Sequence, residues 1–137
     1  MPIQSFDQKC IALAQLETSL RLYFEGSDYF SVITLAGAAE EIFGKMLSAK
    51  GIENSLESKK RTVNQISEKL FGRPVSPKWT VDRANKARNV LKHLTSPTVT
   101  FDLKEEARDI LDRAISNYCL LEEWLTPAME RFYQEVV

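Results

Sequence analysis

Apolar residues recur every three or four positions along nearly the whole chain, and no segment alternates apolar with polar cleanly enough to make a strand. A chain patterned this way buries its apolar surface by laying helices against one another, which predicts an all-α fold. Helix one is expected from about Ser5 to Glu25, with Phe6, Cys10, Leu13, Leu16, Leu20, Tyr23 and Phe24 on one broad face and Gly26 as its stop. Helix two opens at Ser27 or Asp28, either able to cap orphan N–H groups, and runs to about Lys50. It is apolar on almost all sides, so it should be the central, most buried helix, and Gly37 with its neighbouring alanines permits close approach by another element. Helix three spans about Ser55 to Phe71, its Ser55-Leu56-Glu57-Ser58 start having the form of a capping box.

A loop holding Pro74, Val75 and Pro77 follows, because proline disfavours helix in the residue before it. Thr80 is placed to cap a fourth helix that reaches about Leu94, where Thr95-Ser96-Pro97 breaks it. Asp102 caps a long fifth helix whose inward stripe is Leu103, Ala107, Ile110, Leu111, Ala114, Tyr118, Leu121 and Leu125; Pro127 either kinks it or starts a short terminal helix. One domain over residues 1–137, an up-and-down bundle of five helices, is the economical packing.

Composition narrows the chemistry. Cys10 and Cys119 are too few and too far apart for a disulfide framework or a cysteine-rich zinc site, and His93 is the single histidine, so no metal or cofactor is expected. The start of the chain lacks the basic and apolar regions of a signal peptide, and no apolar run approaches the ~18 residues of a membrane span. A cytoplasmic protein with no membrane association is therefore expected. The aromatic residues Phe6, Phe24, Phe30, Phe43 and Tyr118 lie on helical stripes as core candidates, while Trp79, between Lys78 and Thr80, can stack on a base or pack on the proline loop.

The formal net charge of −1 hides a segregation. From Lys59 to His93 there are ten basic and two acidic residues, a charge of +8, and the remaining 8 basic and 17 acidic residues carry −9. Such a block attracts phosphates; it is equally compatible with a solvated face or with docking on an acidic partner. Within it, Asn85, Asn89 and His93 fall at i, i+4 and i+8 of helix four, and Arg88 reaches in beside Asn89. Histidine exchanges protons near neutral pH, and arginine holds a phosphate through paired N–H donors. Together they suit attack of an RNA 2′-hydroxyl on its adjacent phosphate without a metal. That reaction wants both a base and an acid, which a twofold dimer apposing two copies of helix four would supply. Apposed basic faces repel, and acids such as Glu40 and Glu41 would offset them. The structural alternative is a histidine that only complements a helix C-terminus.

At these residues the chain resembles a known family. Arg88-Asn89-Val90-Leu91-Lys92-His93 matches the Arg-x4-His signature of HEPN domains (higher eukaryotes and prokaryotes nucleotide-binding), with asparagine after the arginine as is common there. The Ala-rich second helix, Leu35-Ala36-Gly37-Ala38-Ala39-Glu40-Glu41-Ile42, precedes the motif, and a proline-containing break and a long helix with Glu106-Ala107-Arg108 follow it. The resemblance implies a helical bundle that dimerises through its motif helices and acts as a metal-independent endoribonuclease, as toxins or defence effectors do, in some cases beside a nucleotidyltransferase-like antitoxin partner. It also leaves room for a noncatalytic module that binds nucleotide, RNA or protein. Carried over by position, Arg88 would stabilise the scissile phosphate, His93 would be the acid/base and Asn89 would orient substrate or imidazole. Asn85, Lys86 and Lys92 would join them in binding substrate, together with an acid of helix two, Glu41 in preference to Glu40.

Overall fold

The structure, a computed structural model, describes residues 2–74, 76–94 and 96–136. Among these the chain is all-α, with no strand. The helices are α1 (Gln8–Glu25), α2 (Tyr29–Ala49), α3 (Ser55–Phe71), α4 (Pro77–Ala84), α5 (Lys86–His93), α6 (Leu103–Glu122) and α7 (Pro127–Val136). None is long and apolar enough to cross a membrane. Val75 and Thr95, expected in the proline loop and at the break after helix four, lie outside the described residues.

Helix α2 is the spine, as its all-round apolar sequence implies. It packs against α1, α5 and α6, and α7 closes on α1. Gly26, left-handed at φ 73°, ends α1, and its N–H donates to the carbonyls of Leu22 and Tyr23. Two residues later Asp28 caps α2 by accepting from the Ser31 N–H at 3.0 Å. The turn therefore folds α1 back along α2 as a helical hairpin. Leu16, Leu20, Val32, Ile33 and Phe43 meet Leu111, Ile115 and Tyr118 of α6 in a core that excludes solvent. Each such side chain stabilises the fold by about 1.5–3 kcal/mol relative to exposure. Met129 and Phe132 of α7 complete that core, with the Phe132 and Tyr23 ring centroids 5.6 Å apart.

Several expected features are corrected. The five-helix up-and-down bundle gives way to seven helices among the described residues, because the fourth helix is two and Pro127 starts a separate one. Helix four begins earlier than expected, at Pro77, with Thr80 buried inside it rather than capping, and it breaks at Asn85 (φ −104°, ψ 8°). The stripe of α1 is also rotated: Ala12, Leu16, Ser19, Leu20 and Tyr23 are buried, while Phe6 and Cys10 are exposed. Phe30, at the start of α2, is exposed too.

Helix α3 packs on α4 and α6, and its first turn is tied into the core. Asn54 caps it, accepting from Glu57 N–H at 2.9 Å and donating to the Glu57 carboxylate at 2.8 Å, a capping box one residue earlier than the sequence suggested. The Ser55 N–H donates to Asn117 Oδ1 at 2.8 Å, and Asn117 Nδ2 donates to the Glu40 carbonyl at 3.2 Å. One fully buried amide thus joins α2, α3 and α6. Replacing Asn117 with alanine strands both backbone groups, and we expect a loss of about 2–3 kcal/mol in urea unfolding, with the far-UV spectrum retained.

Candidate functional site

The site is built on the absence of a side chain. A Cβ at residue 37 would lie 2.4 Å from Arg88 Cδ and 3.0 Å from Cγ, so Gly37 leaves the groove in which the Arg88 stem crosses α2. The Arg88 guanidinium is thereby carried to the acids one turn further on. Its Nη1 donates to Glu40 Oε2 at 3.3 Å and to the Gly37 carbonyl at 3.4 Å, and lies 4.0 Å from Glu41 Oε2. Glu40 is only 5% exposed, and a buried carboxylate is tolerable only when paired. Glu41 is half exposed and shared with Lys45 at 3.3 Å. Sequence reasoning preferred Glu41 as the acid of the site, but the buried partner of Arg88 is Glu40.

A second guanidinium stands behind this pair. Arg113 of α6 is buried, and its Nη2 donates to the Ala84 carbonyl and to Asn85 Oδ1, both at 3.1 Å. These bonds take up the last turn of α4 and hold the break from which α5 departs. Burial pushes the Arg113 pKa down, and the nearby Arg88 charge adds to this, while Glu40 acts in the opposite sense. The guanidinium remains charged at neutral pH. Burial likewise pushes Glu106 and Asp109 of α6 up.

The break redistributes the expected stripe. Asn85 is drawn inward to Arg113 and does not stand in line with Asn89 and His93. In α5, Lys86, Asn89 and His93 are all exposed and, at i, i+3 and i+7, share one outward face. Arg88 and Lys92, at i and i+4, flank it on the side toward α2. His93 is the last residue of α5, since Leu94 turns left-handed (φ 45°). His93 is five positions beyond Arg88, which is about 7.5 Å of rise and roughly 140° of rotation. In one chain the guanidinium therefore faces α2 and the imidazole faces outward.

Arg88 lies between two grooves. One, of about 300 Å³, has Glu40, Glu41, Lys45, Ser48, Asn54 and Asn85 in its walls; the other, of about 250 Å³, has Thr34, Ala38, Glu41, Leu91 and Lys92. The structure thus brings Arg88, Lys92 and Glu41 together, adds Glu40, and leaves Lys86, Asn89 and His93 on the exposed flank. Among the described residues no group of three His, Cys, Asp or Glu is placed to hold a metal ion. Arg113 was missed by sequence reasoning, although a charged residue three beyond Ile110 and one before Ala114, on an inward stripe, was a signal. No protein-family model, curated protein or solved structure matches the chain.

Arg88→Ala leaves the Glu40 carboxylate buried without its ion-pair partner, and we expect a loss of about 2–3 kcal/mol in chemical denaturation. Adding Glu40→Gln removes the stranded charge and should recover at least half of that loss.

Proposed function

We propose that the chain is a metal-independent endoribonuclease of the HEPN type, a toxin or defence effector of the cytoplasm, that cleaves RNA at a site completed by a second copy of itself. The observation that carries this reading is the placement of Arg88. It is anchored by Glu40 and the Gly37 carbonyl through Nη1 at the junction of two grooves. A guanidinium held in this way is oriented before a phosphate arrives, which is what stabilising charge on phosphoryl oxygens requires. The outward imidazole of His93 lines neither of these grooves. A twofold partner that apposes the α5 faces would bring two imidazoles and two guanidiniums into one cleft.

The chemistry follows from those groups. One His93 accepts the proton of the RNA 2′-hydroxyl as its oxygen attacks the adjacent phosphorus. The bond from phosphorus to the 5′-oxygen breaks, and the His93 of the second copy, protonated, gives that oxygen its proton. Arg88 balances the negative charge that builds on the phosphoryl oxygens, Asn89 orients the imidazole or the substrate, and Lys86 and Lys92 hold flanking phosphates. The products are a 2′,3′-cyclic phosphate and a 5′-hydroxyl. Asn85 contributes through its bond to Arg113, at the break that sets the direction of α5. Purified protein incubated with single-stranded RNA in EDTA should yield cyclic-phosphate ends, and His93→Ala should lower the rate at least a hundredfold with thermal unfolding unchanged. Equal cleavage by that variant would refute the assignment.

A second reading, a noncatalytic module that binds RNA, nucleotide or a protein such as a nucleotidyltransferase-like antitoxin, has its own support. Ile66, Leu70, Phe71 and Trp79 are exposed on α3 and α4, and Lys69, Arg73 and Lys78, close to them in sequence, are exposed too. Binding of labelled RNA to this basic surface should weaken steeply with salt, and charge reversal at Lys69, Arg73 and Lys78 should reduce the slope by about two to three. A flat salt dependence would assign the patch to a protein partner.

A further inference from the structure

The groove beside Arg88 has a neighbour. A hollow of about 370 Å³, lined by Phe30, Ser31 and Leu35, adjoins it at Thr34 and Leu91, which line both, so that the two make a trough between α2 and α5 that is stepped at these residues. Arg88 lies over Gly37 while Leu91 lies beside Thr34 and Leu35, so here the helices run antiparallel. The trough therefore leads from Arg88 toward the end of α5 that carries His93. Phe30 sits two turns before Gly37, about 10 Å along α2.

The lining changes character along that length. At one end are the cations Arg88 and Lys92, with Glu41 offset by Lys45 at 3.3 Å. In the middle stands the exposed hydroxyl residue Thr34, over a floor of half-buried Leu91. At the far end is the Phe30 side chain, 53% exposed on a helix whose other large apolar side chains are mostly buried. Cations, a hydroxyl and a flat apolar ring, in that order, are partners for the phosphate, ribose and base of a nucleotide, with Lys92, one turn further along α5 than Arg88, the cation nearer the ring.

We propose that the trough is the subsite for a single unpaired nucleotide, with its phosphate at Arg88 and Lys92, its ribose against Thr34 and its base stacked on Phe30. The assignment rests on the RNA reading above and adds the substrate class. A base can reach Phe30 only when it is unstacked from a partner strand, so the trough selects single-stranded RNA over duplex. Because every base presents a π-face, it tolerates any sequence at this position.

The test uses the full chain and a 2′-O-methyl single-stranded RNA, which cannot be cleaved through its 2′-oxygen, beside the same sequence in a duplex. Phe30→Ala should weaken binding of the single strand about tenfold and leave the duplex unchanged, while Phe30→Trp restores affinity and adds tryptophan emission that the RNA quenches. Unchanged single-strand affinity in Phe30→Ala would overturn the assignment. So would conversion of a dimer to a monomer by that substitution in size-exclusion chromatography, because Phe30 would then belong to an interface between copies. The two readings fail separately. Wild-type protein that shows the Phe30-dependent binding but leaves ordinary RNA intact keeps the trough and loses the nuclease, whereas cleavage with the same KM in Phe30→Ala does the reverse.

Discussion

A carboxylate out of water must be answered by charge or by hydrogen bonds, and Glu40 meets that demand at the most crowded point of the molecule. Its side chain binds Arg88 of α5, its carbonyl accepts from Asn117 of α6, and Asn117 in turn holds the first N–H of α3. Arg113 lies within its field. Four helices are thus registered around one residue of α2. The apolar packing of α1, α2 and α6 makes the fold stable, but apolar contacts tolerate sliding. Polar contacts with a defined geometry do not, and they set where α5 rests.

That placement depends on two departures from regular helix. Gly37 weakens α2 by about 1 kcal/mol relative to alanine, since glycine loses more backbone freedom on folding. In return the Arg88 stem lies against the α2 backbone, where its guanidinium can reach Glu40. Asn85 interrupts the segment from Pro77 to His93, and Arg113 takes the exposed carbonyl of Ala84. Had the helix continued unbroken, Asn85, Asn89 and His93 would share one face. With the break, Asn85 becomes part of the interior and Lys86 takes its place on the outward face.

How much of this was legible depended on range. Asp102 could be identified as a cap, and the cap of α2 narrowed to Ser27 or Asp28, because capping is settled by a side chain and an N–H three residues away; the structure has Asp28. The burial of α2 was legible because only one narrow face of it, with Thr34, Glu41, Lys45 and Ser48, is polar. The break at Asn85 was not, since the group that stabilises it, Arg113, is 28 residues further along the chain. Glu40 and Glu41 are about 100° apart on α2, and only the position of α5 decides which one meets Arg88. Gly37 was recognised as allowing close approach, but the neighbour proved to be a side-chain stem rather than a backbone. Phe6, Cys10 and Phe30 were misassigned to the core because a broad apolar face does not specify which of its edges stays wet.

The segregated charge has a consequence for how two copies could meet. In the proposed dimer, apposed α5 faces bearing Lys86, with Lys92 and Arg88 at their α2 edge, would repel each other, and an attraction large enough to offset this would have to come from anions held close to the cations. Glu40 and Glu41 provide part of it from within each chain, because they lie on the α2 side of Arg88 and lower the net field that the guanidinium presents outward. In the proposed dimer the remainder would have to be anionic and external. A phosphodiester lying between the two faces would be attracted to both and would offset their mutual repulsion, so on that reading assembly and substrate binding would be linked, RNA favouring the pair to the extent that pairing favours RNA.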